Sequence, residues 1–250
     1  MEAVIIIFFL LVFALGVYLR SPSFKGAAGE ARVERVLGRS LPADEYHSLR
    51  DITLPTIRGG TTQIDHVVVS RYGVFVVETK NMAGWIFGGP NQARWTQTLH
   101  RHKQQFQNPL RQNYKHVKVL QDLLGLRENQ IFNVVAFVGD AIPKTPMPRN
   151  VVWSERQLAQ FINSQRVAVL EGAEVNSIKR RIREAALKSN RSTRQAHIQN
   201  VKAAKLTPKQ TASACPRCGA NMVERTNKRS GDTFLGCSRF PQCRGTRPAG

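Results

Sequence analysis

Thr62-Gln63-Ile64-Asp65-His66-Val67-Val68-Val69 runs through Ser70-Arg71-Tyr72 into Gly73-Val74-Phe75-Val76-Val77-Glu78-Thr79-Lys80. Both runs are rich in Val, Ile and Phe and are of strand length, and Gly73 supplies a tight turn between them. Within these apolar strands stand an Asp, a Glu and a Lys. Burying ionisable groups is costly unless they are paired or hold a metal. On adjacent antiparallel strands Asp65 and Glu78 converge, and Lys80, two residues on, shares the face of Glu78. Two carboxylates and a lysine on one face suit a hard divalent cation and an activated water, which is hydrolytic phosphodiester chemistry. A salt bridge from Lys80 to Glu78 or Asp65 is the competing reading, and short patterns of this kind recur by chance. The strand setting, with an acid-bearing helix upstream, favours the site.

Asp followed by Glu-x-Lys on the next strand resembles the PD-(D/E)xK phosphodiesterase superfamily. More closely, Gly26-Ala27-Ala28-Gly29-Glu30, Gln63-Ile64-Asp65-His66, Val77-Glu78-Thr79-Lys80-Asn81 and Asn108-Pro109-Leu110-Arg111-Gln112 resemble the nuclease-related domain (NERD) family. The resemblance implies an α/β, restriction-endonuclease-like core: a helix, a three-stranded meander, a second helix and a further strand. It also implies Asp65 and Glu78 as ligands of Mg²⁺ or Mn²⁺, and Lys80 as the group that orients water or stabilises charge. Glu30 would be an accessory acid from the first helix, and Gln112 a polar group from the second.

Outward from this centre, residues 29–38 read as an amphipathic helix with Val33, Val36 and Leu37 on one face. Residues 46–54 read as the first strand of the meander, and Trp85-Ile86-Phe87 as a short strand before the turn at Gly88-Gly89-Pro90-Asn91. Residues 102–124 read as one long helix with Phe106, Leu110, Tyr114, Val117, Leu120 and Leu124 in helical period. Pro109 could mark its true start, with Asn108 as N-cap. Residues 131–138 read as a buried strand and Val151-Val152-Trp153 as another, followed by a helix over 154–162 capped by Ser154. His66 is expected to point away from Asp65, and His100 and His102 to lie on a solvated face.

The chain has 250 residues, with 37 Lys or Arg against 17 Asp or Glu, a formal net charge of +20. Such an excess points to a polyanion, either nucleic acid or an anionic membrane surface. It is concentrated in the tail: from Lys179 onward 17 basic and 3 acidic residues give +14. The stretch from 174 to about 201 reads as a charged helix and linker, either solubilising or contacting phosphates.

All four cysteines lie in the tail, as Cys215-Pro-Arg-Cys218 and Cys237-Ser-Arg-Phe-Pro-Gln-Cys243. Two pairs about twenty residues apart is the spacing of a tetrahedral four-thiolate zinc site. Two disulfides are the alternative and need an oxidising compartment. The segment resembles the zinc ribbon at the C-terminus of bacterial type IA topoisomerases, which implies a structural Zn²⁺ and single-stranded DNA binding. Phe234 and Phe240 with Arg217, Arg225, Arg229 and Arg239 supply π faces for stacking and charge for the backbone.

At the other end, residues 3–19 are an uninterrupted apolar run, at about 1.5 Å per residue just long enough for a hydrocarbon core. A cleaved signal peptide is the competing reading. Glu2, the absence of Lys or Arg ahead of the run and Arg20 behind it favour an uncleaved single-pass anchor. Arg20, Lys25, Arg32 and Arg35 then place the body in the cytoplasm, at the inner membrane.

The expected organisation is an anchor (1–20), a NERD nuclease-like domain (21–170), a basic helix and linker (171–212) and a zinc ribbon (213–250). The expected function is membrane-anchored, metal-dependent phosphodiester hydrolysis, with the ribbon holding DNA. A catalytically inactive tether of nucleic acid at the membrane is the alternative.

Overall fold

β1 (His47–Pro55), β2 (Thr61–Ser70) and β3 (Gly73–Lys80) form an antiparallel meander in the computed structural model. Gly73, at φ 127, makes the turn between β2 and β3 possible. The structure describes residues 21–56, 59–187, 221–227 and 231–248, with Phe9, Gly16, Tyr18, Gln195, Gln199, Cys215 and Arg217 as single positions. The chain divides into two compact units, residues 1–193 and 194–250.

In the first unit, β7 (Ile131–Phe137) lies parallel to β3, and β9 (Val151–Val152) lies parallel to β7, giving the order β1-β2-β3-β7-β9. Four helices cover the two faces: α1 (Pro22–Ser40), α2 (Pro109–Leu124), α3 (Glu155–Ser164) and α4 (Gly172–Ala185). On one face Ile64, Val67, Val69, Val74 and Val76 pack with Val117, Leu120 and Leu124 of α2 and Val175, Ile178 and Ile182 of α4. On the other, Val68, Phe75 and Val77 pack with Val33 and Leu37 of α1 and Leu158 and Ile162 of α3. Two covered faces explain why β3 is a continuous apolar run rather than an alternating one. α4 lies in the stretch expected as a basic helix and linker, and its three buried residues make it part of the packed body.

A second sheet, ordered β6-β5-β4-β8, is inserted between β3 and α2 and completed after β7. It comprises β4 (Gly84–Phe87), β5 (Arg94–Leu99), β6 (His102–Gln107) and β8 (Ala141–Pro143). Here the expectation of one helix over 102–124 is corrected. His102–Gln107 is a strand paired with β5, and the helix begins only at Pro109, capped by Asn108. His100, at φ 52, turns the chain so that Leu99 pairs with His102. Phe106, which shared the helical period by coincidence, instead meets Trp95 edge-on at 6.3 Å.

α1 approaches the ends of β3 and β7 closely because Gly29 has no side chain. A Cβ there would stand 2.8 Å from Asn81 Cβ and 3.1 Å from Val138 Cγ2. Arg32, three residues on, donates to the Val138 carbonyl and, at 3.1 Å, to Asn81 Oδ1, and its Nε pairs with Glu155 of α3 at 3.1 Å.

Among the described residues no helix is long and apolar enough to cross a membrane. The expected anchor lies outside the described residues apart from Phe9, Gly16 and Tyr18. In the second unit β10 (Met222–Thr226), β11 (Thr233–Cys237) and β12 (Thr246–Pro248) form a three-stranded antiparallel sheet.

Candidate functional site

The N-terminal end of α2 is fixed from two sides. Fully buried Asn108 accepts the Leu110 N–H through Oδ1 at 2.9 Å, and its Nδ2 donates to the carbonyls of Gln92 (2.7 Å) and Pro90 (3.1 Å). Asn113, also fully buried, donates to the Val76 carbonyl at 2.7 Å and to Asn133 Oδ1 at 2.8 Å. The donating amides of these two buried side chains set both the height and the rotation of the helix. The outcome is that Gln112 and, one turn later, His116 face the end of β3.

There the structure brings together most of the expected site. Lys80 Nζ donates to Glu78 Oε1 at 2.5 Å and to Gln112 Oε1 at 3.1 Å, while Gln112 Nε2 donates to the same Glu78 oxygen at 2.7 Å. Asp65 Oδ2 accepts the Thr79 N–H at 2.8 Å. Asp65 sits where the β1–β2 ladder omits the pair it would form with Asp51. Across that point the buried residues change parity, from Leu49 to Ile52 in β1 and from Ile64 to Val67 in β2, and Asp51 adopts φ 51. Ladder irregularities next to functional sites serve to re-aim side chains. Glu30 stands close enough for its charge to act on Asp65.

His116 and Thr62 complete the constellation and went unrecognised in the sequence. His116 Nε2 lies 3.5 Å from Glu78 Oε2, a long electrostatic contact, while its Nδ1 shares a 2.7 Å hydrogen bond with Thr62 Oγ1. The available signal was the spacing: His116 follows Gln112 by four residues, one helical turn. His66 points the other way, as expected, with Nε2 3.4 Å from Glu34 Oε2 of α1. His100 and His102 are exposed.

Burial pushes the Asp65 carboxyl well above the usual range, and the neighbouring charges of Glu78 and Glu30 add to this. Burial acts in the same sense on Glu78, but the Lys80 ammonium and His116 outweigh it and hold Glu78 below the ordinary value. The pair is thus electrically asymmetric: Glu78 is matched by Lys80, and Asp65 carries an unmet cost of ionisation. Hard oxygen donors with a deficit of positive charge suit a divalent cation of the Mg²⁺ or Mn²⁺ type.

In the second unit Cys215, Cys237 and Cys243 bring their sulfurs within 4.8 Å of one another. Cys215 and Cys243 are 3.7 Å apart, far beyond a disulfide bond of about 2.05 Å and close to the edge of a tetrahedron built on Zn–S bonds of about 2.3 Å. Gly245 permits this, since a Cβ there would meet Cys215 Sγ at 2.4 Å. Cys218 and Arg229 lie outside the described residues. Arg225 lies over the ring of exposed Phe240 at 5.4 Å and pairs across the sheet with Phe234. Arg217 and Arg239 are exposed.

Known proteins match both units. Residues 25–138 match the nuclease-related domain family, and residues 212–249 match the topoisomerase DNA-binding C4 zinc finger. An uncharacterized protein of Bacillus anthracis is 41% identical over 167 residues, covering 64% of this chain and 75% of the relative. A DNA topoisomerase 1 of Pyrococcus horikoshii is 44% identical over 34 residues, 14% of this chain and 5% of that enzyme. No solved structure matches the chain. The chain belongs to the nuclease-related domain family and ends in a topoisomerase-type C4 zinc ribbon.

Proposed function

We propose that this protein is a membrane-anchored, metal-dependent nuclease that hydrolyses phosphodiester bonds in its first unit and holds single-stranded DNA with its ribbon. The observation that carries the reading is the convergence of Asp65, Glu78, Lys80 and Gln112 at the end of β3. Asp65, Glu78 and the Thr79 carbonyl would hold Mg²⁺ or Mn²⁺, whose chemistry is Lewis-acid polarisation of the phosphoryl group and neutralisation of its charge.

The chain's own residues supply position and charge. Lys80 Nζ, held by Gln112, orients the attacking water and stabilises negative charge as it builds on the phosphoryl oxygens. Gln112 bridges Glu78 and Lys80, and Thr62 through His116 backs the second Glu78 oxygen. Glu30 adds negative potential at Asp65. In the ribbon, Cys215, Cys218, Cys237 and Cys243 would hold a structural Zn²⁺ with no open position. Phe234, Phe240 and the arginines 217, 225, 229 and 239 then contact the strand. Residues 3–19 would anchor the chain in the inner membrane with both units in the cytoplasm.

One observation favours a second reading, the catalytically inactive tether. Glu78 Oε1 already accepts from both Lys80 and Gln112, so the pair is satisfied within the protein.

The test is incubation of the full chain in detergent with labelled single-stranded DNA, duplex DNA and RNA, in Mg²⁺, Mn²⁺ or EDTA. Cleavage that needs metal and disappears in Asp65→Asn and Lys80→Ala supports the nuclease. Absence of cleavage in every metal, with DNA still retained by all variants, replaces it with the tether. Carbonate extraction of membranes tests the anchor: the full chain should stay in the pellet and a chain lacking residues 3–19 should not.

A further inference from the structure

The outer face of the inserted sheet is built unlike a solvent face. Cross-strand pairing places Lys103, Thr98, Trp85 and Ile142 in one row across β6, β5, β4 and β8. A second row runs from Gln105 through Thr96 to Phe87. Paired residues share a face, and the opposite face buries Ile86 and Trp95 completely. Trp85 is nonetheless 49% exposed, Ile142 50% and Phe87 36%. Lys144 Nζ stands 4.6 Å from the centre of the Trp85 ring. Between Glu78 and Asp122 the sequence contains no Asp or Glu at all, so the strands β4, β5 and β6 carry only neutral and basic side chains.

We infer that this face is a stacking platform for single-stranded nucleic acid, separate from the ribbon and feeding the Asp65–Glu78–Lys80 site. In its second part the inference rests on the nuclease reading. Trp85 and Phe87 are two residues apart on one strand, so their Cα atoms are about 6.6 Å apart along it and the two side chains share a face. Lys144 beside the Trp85 ring and Lys103 in the same row meet phosphates, and the exposed Gln105 amide offers hydrogen bonds without demanding one sequence. Exposed aromatics mark a binding surface. Protein interfaces, however, are depleted of lysine at their cores, whereas here Lys144 sits on the tryptophan itself.

The platform is held in fixed relation to the proposed site. β4 starts four residues after Lys80, and Gln97 Nε2 donates to the Ala83 carbonyl at 2.7 Å, bracing the connection. Asn108 ties the β4–β5 loop to the same helix that carries Gln112.

Trp85 reports on its own occupancy, because Trp95 is fully buried and Trp153 partly so. Tryptophan emission of the full chain carrying Asp65→Asn is titrated with a twelve-nucleotide oligo-dT, oligo-rU, a DNA duplex, and vesicles of phosphatidylcholine with phosphatidylglycerol. This variant reads binding whether or not the intact chain cuts, so failure of the platform and failure of the nuclease reading are separable. The expected result is quenching by the single strands, lost in Trp85→Phe, and an affinity, read from the anisotropy of a labelled oligonucleotide, about tenfold or more weaker in Trp85→Ala/Phe87→Ala. Lys103→Gln/Lys144→Gln should flatten the slope of log affinity against log salt by about 1.4. Oligo-dT against oligo-rU distinguishes DNA from RNA as the occupant. Unchanged emission with unchanged affinity in the double variant overturns the inference. So does quenching by vesicles alone, which would make the face a lipid contact, or preference for the duplex.

Discussion

Gln112 Nε2 donates a 2.7 Å hydrogen bond to Oε1 of Glu78, the same oxygen that Lys80 holds at 2.5 Å. A single glutamine thereby braces both members of a largely buried ion pair, since its Oε1 also accepts from Lys80. Gln112→Leu removes two charge-assisted hydrogen bonds and should cost about 2–3 kcal/mol. Lys80→Met leaves Glu78 buried without its counter-charge, which costs about 3–5 kcal/mol. With one-fifth of the Lys80 side chain exposed, the lower end is expected. Adding Glu78→Gln to Lys80→Met should recover part of the loss. Urea unfolding of the single and double variants checks this, and simple additivity of the two changes would refute the coupling.

His66 gives the first unit an acid-sensitive stability. Burial lowers its pKa from 6.5 to about 4; the Glu34 carboxylate opposes the shift and Arg50 adds to it. Between these values the folded chain binds fewer protons than the unfolded one. The contribution is therefore complete above pH 6.5 and is lost as pH falls toward 4. At about 1.4 kcal/mol per unit, this amounts to about 3 kcal/mol over the window. His66→Leu should lose less stability than the wild type between pH 6.5 and 4. Asp65 acts in the opposite sense, since a raised carboxyl lowers stability as pH rises from 3.8, but it is common to both proteins and cancels in the comparison. Superimposable pH profiles of urea midpoints would remove His66 from the account.

How much of this was legible in the sequence depends on how local the cause is. The meander could be read from Val67-Val68-Val69 and Val74-Phe75-Val76-Val77 because burial on both faces demands an unbroken apolar run, and that is visible one residue at a time. Asp65, Glu78 and Lys80 followed from the two-residue period of strands. β6 is hidden in the sequence because Phe106 falls on a helical period with Leu110, and nothing within 102–107 reveals that its partner is β5. The spacing of His116 from Gln112 carries little weight alone, because its role depends on Thr62, 54 residues away. The irregularity at Asp51 and Asp65 likewise depends on two strands at once.

Gly29 tests how tightly the first helix must dock. Alanine in place of glycine inside a helix gains about 1 kcal/mol from propensity. Against this, the new Cβ would stand 2.8 Å from Asn81 Cβ, a rigid atom next to the backbone, and 3.1 Å from Val138 Cγ2. Overpacking of this kind costs about 1–3 kcal/mol. The clash also falls where Arg32 joins α1 to Asn81 and Val138. Gly29→Ala is therefore expected to lower the unfolding midpoint, and Gly29→Val to lower it further. A midpoint raised by the alanine would mean that helix propensity decides and that the close approach is dispensable.

The ribbon's sulfurs make a prediction about metal that is independent of any nuclease activity. At 3.7 Å, Cys215 and Cys243 are too far apart to be bonded and at the spacing that two thiolates take around one zinc. Among the described residues the hydrophobic cluster of this unit, Cys215, Met222 and Cys237 with Leu235 and Cys243 packed against it, is too small to hold three short strands by itself. The protein should carry one zinc per chain by elemental analysis. A strong chelator should abolish the β10–β12 amide signals in a nitrogen-15 spectrum, while the unfolding transition of residues 21–187 stays in place. Cys243→Ser should lower zinc occupancy and Phe234 and Phe240 should lose their ordered signals with it. A chain that keeps its ribbon after chelation, or whose thiols resist alkylation until a reductant is added, would be held by disulfides instead.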